Sequence, residues 1–278
     1  MTEPVDQAKQ ALFTRFRSQL PQAIELHRQF RLFELDAQGR SWENVSEHCL
    51  IEAARTEVLA EWLNFAIDLK NDLVLAAALH DFNKRFEIEA IDGDIAAGGS
   101  GWAGYDRASE TATQELKRHG FTERVIRLAN SAGGRTENLF AIDVILNRTQ
   151  PIEDDIACLV MYYVDSYTRG SDWVESAAED NGQLVNDVDR RLHKIYTRPD
   201  YHRMNNASIS LFKDHPRFAG KTTAEVMLEL SHQVEMKLSE LMKQQSHQLI
   251  KPRRLPELID ETVRASLSTS LRTSFETN

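Results

Sequence analysis

Residues 73–84 read LVLAAALHDFNK, an apolar run that ends in His80-Asp81, with Lys84 three residues further on. A neutral imidazole and a carboxylate side by side are suitable ligands for a divalent metal ion. Burying the Asp81 carboxylate without a partner would be unfavourable, and a bound cation would offset that cost. A His-Asp pair is weak evidence when taken alone, so the interpretation depends on the residues before and after it.

The composition describes a chain that is long enough to bury a substantial core. It has 278 residues and a formal net charge of −10. That charge argues against a general duplex-binding protein, which gains affinity by neutralising phosphates, but it is compatible with a small anionic substrate held by local cations. Cys49 and Cys158 fall in apolar helical patterns, so we expect core residues and no disulfide. Without an apolar run of about 18 residues or a signal-peptide pattern, we expect a cytoplasmic protein with no membrane association.

Helical periodicity dominates the sequence and no series of alternating strands is evident, so an all-α fold is predicted. We expect N-terminal helices over residues 1–40, a core over 41–170 and a C-terminal helical extension over 171–278. Five of the twelve glycines fall in residues 92–105, which predicts a loop, either a lid over a site or a surface connection. The predicted helices cover residues 5–18, 21–36, 45–69, 71–84, 106–119, 122–131, 137–148, 153–170, 180–196, 203–214, 221–248 and 255–270.

Two further polar residues stand in apolar helical patterns on either side of the His-Asp pair. His48 lies beside the apolar face of its helix, and helical spacing places Glu52 and Arg55 on the same stripe. Asp165 ends another apolar run. Taken singly, His48 is typical of a hydrogen-bonded boundary residue, and Asp165 could form a simple ion pair with Arg169.

The order of these residues, His, His-Asp and Asp at positions 48, 80, 81 and 165, resembles the HD-domain superfamily of metal-dependent phosphohydrolases. Residues 75–84 are similar to the family's apolar helix that ends in His-Asp, two residues and Lys. Residues 149–165 are similar to the segment that leads into the family's last ligand. Residues 109–130 resemble the family's middle helix pair.

The resemblance covers roughly residues 41–170 and implies a helical bundle of the HD-domain type. Residues 1–40 and 171–278 would add helices that the resemblance does not explain. It also implies a role in the site for Lys84. The implied metal ligands are His48, His80, Asp81 and Asp165.

The sequence departs from the two-metal members of the superfamily. Many of those carry further histidines on the helices between His-Asp and the last Asp, whereas His119 is the only histidine between residues 81 and 165. His119 precedes Gly120 at a predicted helix end, where it would cap the helix. We therefore expect one divalent transition metal ion. A site of two imidazoles and two carboxylates suits Mn, Fe, Co, Ni or Zn better than Ca.

The resemblance implies hydrolysis of a small phosphate ester, a nucleotide or another phosphorylated metabolite, by metal-activated water. Glu52 or Asp106 could serve as the general acid or base, an interpretation that rests on helix spacing alone. Catalysis would also involve Lys84, one helical turn beyond Asp81. The candidate cations for the phosphate are Arg55, Arg107, Arg135 and Arg169.

Two other functions stay open on the same scaffold. One is a metal-dependent oxygenase or lyase, a class that usually needs more ligands than the sequence offers. The other is a non-catalytic metal-binding protein that acts as a sensor or interaction module. The C-terminal helices could shape the substrate pocket or form a homodimer interface.

Overall fold

The all-α prediction is confirmed in a computed structural model that describes residues 6–36, 38–180, 183–197, 199–246 and 251–276. Short 3-10 helices at Ser208–Phe212 and Pro252–Arg254 and one antiparallel hairpin, β1 (Ala178–Asp180) with β2 (Gln183–Val185), supplement the α-helices. The described α-helices are α1 (Gln7–Gln19), α2 (Pro21–Gln29), α3 (Glu43–Trp62), α4 (Ile67–Leu79), α5 (Lys84–Ala96), α6 (Trp102–Arg118), α7 (Glu123–Ala129), α8 (Thr136–Leu146), α9 (Glu153–Tyr167), α10 (Asp187–Thr197), α11 (Pro199–Ala207), α12 (Thr223–Ser246) and α13 (Leu255–Glu276).

The helix predicted over residues 180–196 begins later than expected, because the hairpin occupies its start and α10 begins at Asp187. Reciprocal hydrogen bonds set this boundary. The Asn186 side chain accepts from the Val188 N–H at 3.1 Å, and the Asp189 carboxylate accepts from the Asn186 N–H at 3.0 Å. These acceptors satisfy N–H groups that would otherwise be unpaired at a helix N-terminus.

The loop predicted over residues 92–105 is mostly helical, which corrects that expectation. Helix α5 runs to Ala96 and α6 begins at Trp102, so a short turn is left between them. Gly101 has a φ of 98° and ends the turn, and its N–H donates to the Asp94 carboxylate at 2.7 Å. Gly104 lies inside α6, where an added Cβ would meet the Ala90 carbonyl oxygen at 2.2 Å. This glycine therefore permits close packing of α5 on α6.

Helices α3, α4 and α9 form the centre of the core, as their largely apolar sequences dictate. One hydrophobic cluster extends from Leu12 in α1 to Leu267 in α13, so the N- and C-terminal helices pack on the same core. Cys49 and Cys158 are buried free thiols, which confirms their prediction as core residues. The three-part division of the chain stays a prediction. None of the described helices combines the length and apolar character that crossing a bilayer requires.

A buried ion pair between Arg55 and Asp260 joins α3 to α13. Nε and Nη2 of Arg55 each donate to an Asp260 oxygen at 2.7 Å, and both side chains are at most 1% exposed. Nη1 donates to Thr168 Oγ1 at 2.8 Å, and Nη2 also donates to the Asp172 carbonyl at 3.0 Å. Every guanidinium nitrogen is thus engaged by the protein. This corrects the interpretation of Arg55 as a phosphate-binding residue, because the structure gives it a role in helix packing.

Glu235 of α12 is a second buried acid, 1% exposed, in the C-terminal part of the core. Its Oε1 accepts hydrogen bonds from the Tyr163 hydroxyl at 2.6 Å and from Asn186 Nδ2 at 2.8 Å. Burial raises the pKa of Glu235 to about 7, although these hydrogen bonds act in the opposite direction. The folded chain therefore favours the neutral acid.

Ionisation of Glu235 should make the free energy of unfolding fall with pH. The folded-state pKa of about 7 lies above the ordinary value of 4.5, so the stabilising contribution of the neutral acid is full below 4.5 and is lost as the pH rises through 7. The free energy of unfolding of wild type should fall by about 2 kcal/mol more than that of Glu235→Gln between about pH 5 and pH 9, because the variant has no acid to ionise at this position. Urea unfolding of both proteins at each pH measures the gap, and parallel pH dependences would contradict the account.

Candidate metal centre

Three core helices bring the predicted metal ligands to one place. Helix α3 presents His48 and Glu52 one turn apart on the same face. His80 and Asp81 follow directly after the last residue of α4, and Asp165 lies in the last turn of α9. Because α3, α4 and α9 pack against one another, buried apolar contacts fix the relative positions of these side chains.

Four side chains form a compact cluster: His48, Glu52, His80 and Asp165. Each contributes one potential ligand atom, and these atoms all lie within 4.8 Å of one another. His48 Nε2 is 3.1 Å from Glu52 Oε1, and His80 Nε2 is 3.4 Å from Glu52 Oε2. The Glu52 carboxylate, 0% exposed, therefore joins the two imidazoles. This buried set of nitrogen and oxygen atoms could hold a metal ion.

The hydrogen bonding around Glu52 fits a bound cation. Both Glu52 oxygens and His80 Nε2 are buried and have no hydrogen-bond partner among the described residues, because their short contacts lack hydrogen-bond geometry. Leaving buried polar atoms unpaired costs roughly 1–3 kcal/mol for each group, and more where the group is charged. A metal ion between these atoms would satisfy all three of them together.

Backbone carbonyls orient both imidazoles toward the cluster. His48 Nδ1 is 3.1 Å from the Gly170 oxygen, and His80 Nδ1 is 2.8 Å from the Ala77 oxygen. A carbonyl oxygen only accepts hydrogen bonds, so each Nδ1 must carry the proton. When a ring is neutral, its lone pair is then on Nε2, the atom that faces Glu52. This arrangement, with one ring nitrogen held by a carbonyl, is typical of metal-binding histidines.

Asp81 lies at the edge of the cluster. Its Oδ2 is 3.9 Å from His48 Nε2 and 3.8 Å from His80 Nε2, while its Oδ1 is 3.5 Å from Lys84 Nζ. It contacts the same two imidazoles but does not belong to the four-residue cluster. Asp81 as a metal ligand therefore stays a prediction. The structure adds Glu52, which helix spacing indicated only as a general acid or base.

Two donors hold the Asp165 carboxylate. Its Oδ2 accepts from the Gly133 N–H at 2.8 Å, and its Oδ1 accepts from Arg191 Nη2 at 2.8 Å. Burial acts to raise the pKa of Asp165, but the positive charge of Arg191 outweighs it and holds the pKa well below its usual range. Each oxygen keeps a second lone pair. Asp165 is thus an oriented, ionised carboxylate that can still bind a cation.

Burial acts to lower the pKa of His80, but the adjacent Glu52 carboxylate outweighs it and raises that pKa well above its ordinary value. For His48 and Glu52, burial is the dominant cause. It lowers the pKa of His48 to about 3, so this imidazole is neutral at physiological pH. It raises the pKa of Glu52 to about 8, and a bound cation would lower that pKa again. Burial acts to raise the pKa of Asp81, but nearby positive charge, that of the Lys84 ammonium above all, outweighs it and lowers the pKa.

A cavity of about 540 Å³ opens over the cluster. His48, His80, Asp81 and Asp165 line it, and Glu52 lies behind them. The lining also contains cationic side chains, namely Lys84, Arg135, Arg169 and Arg191, and an apolar and aromatic group, namely Ile91, Trp102, Tyr105, Met204 and Met227. The cavity therefore combines metal ligands, positive charge and apolar surface.

The remaining predicted site residues divide into two groups. Arg135 and Arg169 line the cavity, as the sequence interpretation requires. Asp106 and Arg107 are exposed on α6 and do not line it, because α6 turns Gly104, Ala108 and Ala112 toward the protein instead. Their placement does not favour the roles expected for them, and Asp106 as a general acid or base and Arg107 as a phosphate ligand stay predictions.

Arg191 is a cavity residue that sequence reasoning missed. It lies on α10, outside residues 41–170 to which the resemblance extends, and it follows Arg190 in a run of charged residues. Nothing in its local sequence distinguishes it from a surface arginine. His119 is the C-cap residue of α6, as predicted, and does not line the cavity.

Comparisons of this chain with protein-family models, with curated proteins and with solved structures found no match. The resemblance to the HD-domain superfamily is therefore an inference from the residues quoted above. The structure itself establishes an all-α chain whose buried His48, Glu52, His80 and Asp165 could hold a metal ion beside a cavity.

Proposed function

We propose that this chain is a metal-dependent phosphohydrolase of the HD-domain type that acts on a small organic phosphate ester. The observation that carries the proposal is the group of unpaired buried atoms on Glu52 and His80, next to a cavity lined with cations. A positive ion would satisfy the unpaired buried atoms, and the surrounding cations favour an anionic ligand beside that ion. A phosphate ester bound to a metal ion meets both requirements.

The donor set supports a transition metal, since it combines imidazole nitrogens with carboxylate oxygens. His48, Glu52, His80 and Asp165 would hold the ion, with Asp81 adjacent. When bound, such an ion would polarise a phosphoryl oxygen and activate water for attack. Burial of the ligands keeps them in one geometry and limits the access of bulk water.

Lys84 supports the proposal because it is a fixed cation at the cavity wall. Its Nζ is 2.7 Å from Glu87 Oε1 and 3.5 Å from Asp81 Oδ1. These two acids hold the ammonium group next to the cluster, where it would bind a phosphoryl oxygen. Lys84 lines the cavity, so a substrate reaches it without rearrangement of the helices.

The apolar part of the lining indicates an organic substituent on the phosphate. The volume of about 540 Å³ falls within the roughly 300–1,000 Å³ typical of small-molecule sites. Trp102 Nε1 donates to the Met204 carbonyl at 2.8 Å, and the Trp102 and Tyr105 rings meet edge to face with centroids 5.6 Å apart. These contacts hold an aromatic surface on which a flat organic group would pack.

Release of inorganic phosphate tests the proposal. The protein, loaded in turn with Mn²⁺, Fe²⁺, Co²⁺, Ni²⁺ or Zn²⁺, is screened against nucleotides, aryl phosphates and sugar phosphates. We expect metal-dependent release from esters with an aromatic group. No release from any ester by protein with bound metal would overturn the hydrolase proposal, and metal-dependent oxygen consumption would favour an oxygenase instead.

Replacement of Lys84 by methionine should lower kcat/KM for the best ester roughly 10- to 100-fold, because a charged contact to the phosphoryl group is lost. Metal content should stay that of wild type. Lys70→Met is the matched control, since Lys70 pairs with Glu61 at 2.7 Å and does not line the cavity. Equal losses in the two variants would contradict the role of Lys84.

A further inference from the structure

Arg191 connects the C-terminal part of the chain to the candidate metal centre. It belongs to α10, which packs on α9, and its Nη2 donates to Asp165 Oδ1 at 2.8 Å. Among the charged residues of α10, Arg190 instead pairs with Asp187 at 2.8 Å and donates to the Ser176 carbonyl at 3.1 Å. Adjacent arginines on one helix thus have different environments, and Arg191 is the one that lines the cavity.

The two terminal nitrogens of the Arg191 guanidinium differ, because one is occupied and the other is unsatisfied. Nη2 is held by Asp165, whereas Nη1 is buried and has no hydrogen-bond partner among the described residues. A buried guanidinium N–H without an acceptor is unfavourable. Because Asp165 holds Nη2, the planar group is fixed beside the cluster, and a ligand oxygen that reached Nη1 would satisfy it.

The charge balance favours an anion as that ligand. In the described structure the ion pair of Arg191 is with Asp165. A cation held by the cluster would share the negative charge of Asp165, and the positive charge of Arg191 would then lack full compensation. Arg169 and Arg135 differ, because their ion pairs are with Glu175, Asp187 and Glu137, none of which belongs to the cluster. Arg191 is therefore the cavity arginine best placed to bind an oxyanion next to the cluster.

We propose that Arg191 binds a phosphoryl oxygen of the substrate through Nη1, while Nη2 stays on Asp165. This inference rests on the proposed function for its choice of a phosphate ester. It makes α10 part of the site, so residues 41–170 do not form a complete site without the C-terminal helices. The ligand is a tetrahedral oxyanion, which a guanidinium recognises through directed N–H groups.

Binding of inorganic phosphate to the full-length, metal-loaded protein tests the inference without any need for turnover. Isothermal calorimetry would compare wild type with Arg191→Gln, Arg191→Lys and the matched control Arg190→Gln, and the bound metal would be quantified in each sample. We expect affinity for phosphate to fall roughly 10- to 100-fold in Arg191→Gln. Arg191→Lys should also bind weakly, because one ammonium group cannot reproduce the guanidinium geometry that serves Asp165 and the phosphate together. Arg190→Gln should match wild type.

The outcomes separate this inference from the proposed function. Wild-type phosphate affinity in Arg191→Gln and Arg191→Lys samples that hold metal would overturn the role of Arg191, even if esters are hydrolysed. Lower affinity per metal-loaded chain in both variants, with Arg190→Gln unaffected, supports it, even if no ester is turned over. If Arg191→Gln loses its metal, the phosphate affinity of Arg191→Lys is compared with that of wild type instead, since this variant keeps a positive charge beside Asp165.

Discussion

Replacement of His80 by alanine should leave a folded helical protein that no longer retains a divalent metal ion. The His80 ring is oriented by the Ala77 carbonyl, and its Nε2 faces Glu52 without a hydrogen-bond partner. Loss of one ligand from a set of four should weaken metal binding by several orders of magnitude, and hydrolysis of any phosphate ester should fall by at least roughly 1,000-fold. Elemental analysis after dialysis, with circular dichroism on the same sample, measures both parts of the prediction.

His27 provides a matched control, because it is also a buried histidine close to the end of α4. Its Nδ1 is 2.9 Å from Ser46 Oγ and its Nε2 is 2.8 Å from the Ala78 carbonyl, so the protein satisfies both nitrogens. His27→Gln should therefore lower stability but keep the metal. Metal retention in His80→Ala equal to that in His27→Gln would contradict the assignment of His80.

Replacement of Arg55 by alanine should destabilise the fold by about 3–5 kcal/mol, because it leaves the buried Asp260 carboxylate without its cation. Asp260 is 0% exposed, and besides Arg55 it accepts from the Val174 N–H at 2.6 Å. Chemical denaturation measures the change in the free energy of unfolding. Activity per folded molecule should stay within a few-fold of wild type, since Arg55 does not line the cavity.

The double substitution Arg55→Met with Asp260→Leu tests whether the lost stability comes from the uncompensated Asp260 carboxylate. Removal of both charges avoids the uncompensated carboxylate, so the double variant should recover most of the stability that Arg55→Ala loses. A single variant as stable as wild type would contradict the buried ion pair. A selective loss of activity in well-folded Arg55→Ala would restore the earlier interpretation of Arg55 as a substrate-binding residue.

The sequence predicts where the helices lie, and which polar residues stand on or beside their buried faces, better than it predicts which side chains meet. The run 73–79 and the residues before Asp165 have the apolar character of buried helices, so the positions of His80 and Asp165 at helix ends follow from local pattern. Glu52 illustrates the limit. Helical spacing places it on the stripe of His48, but its contact with His80 depends on how α3 and α4 pack, and no local pattern fixes that packing.

Arg191 and Gly104 show two further reasons why local reasoning fails. Arg191 reaches Asp165 from α10, 26 residues further along the chain, and long-range pairing of this kind has no signature in a single sequence. Gly104 contributed to the prediction of a loop, because glycine is common in loops. In the structure it lies inside α6 and permits contact with the Ala90 carbonyl. The same residue type serves a turn at Gly101 and helix packing at Gly104, and tertiary structure decides between the two uses.

An anomalous difference map from crystals grown with Mn²⁺, Fe²⁺, Co²⁺, Ni²⁺ or Zn²⁺ tests the central claim most directly. The account predicts one strong peak per chain, within coordination distance of His48, Glu52, His80 and Asp165, roughly 2.0–2.2 Å for Zn²⁺. The same map would show whether Asp81 completes the coordination. Absence of a peak among these residues at saturating metal, or a peak bound elsewhere on the chain alone, would contradict the account.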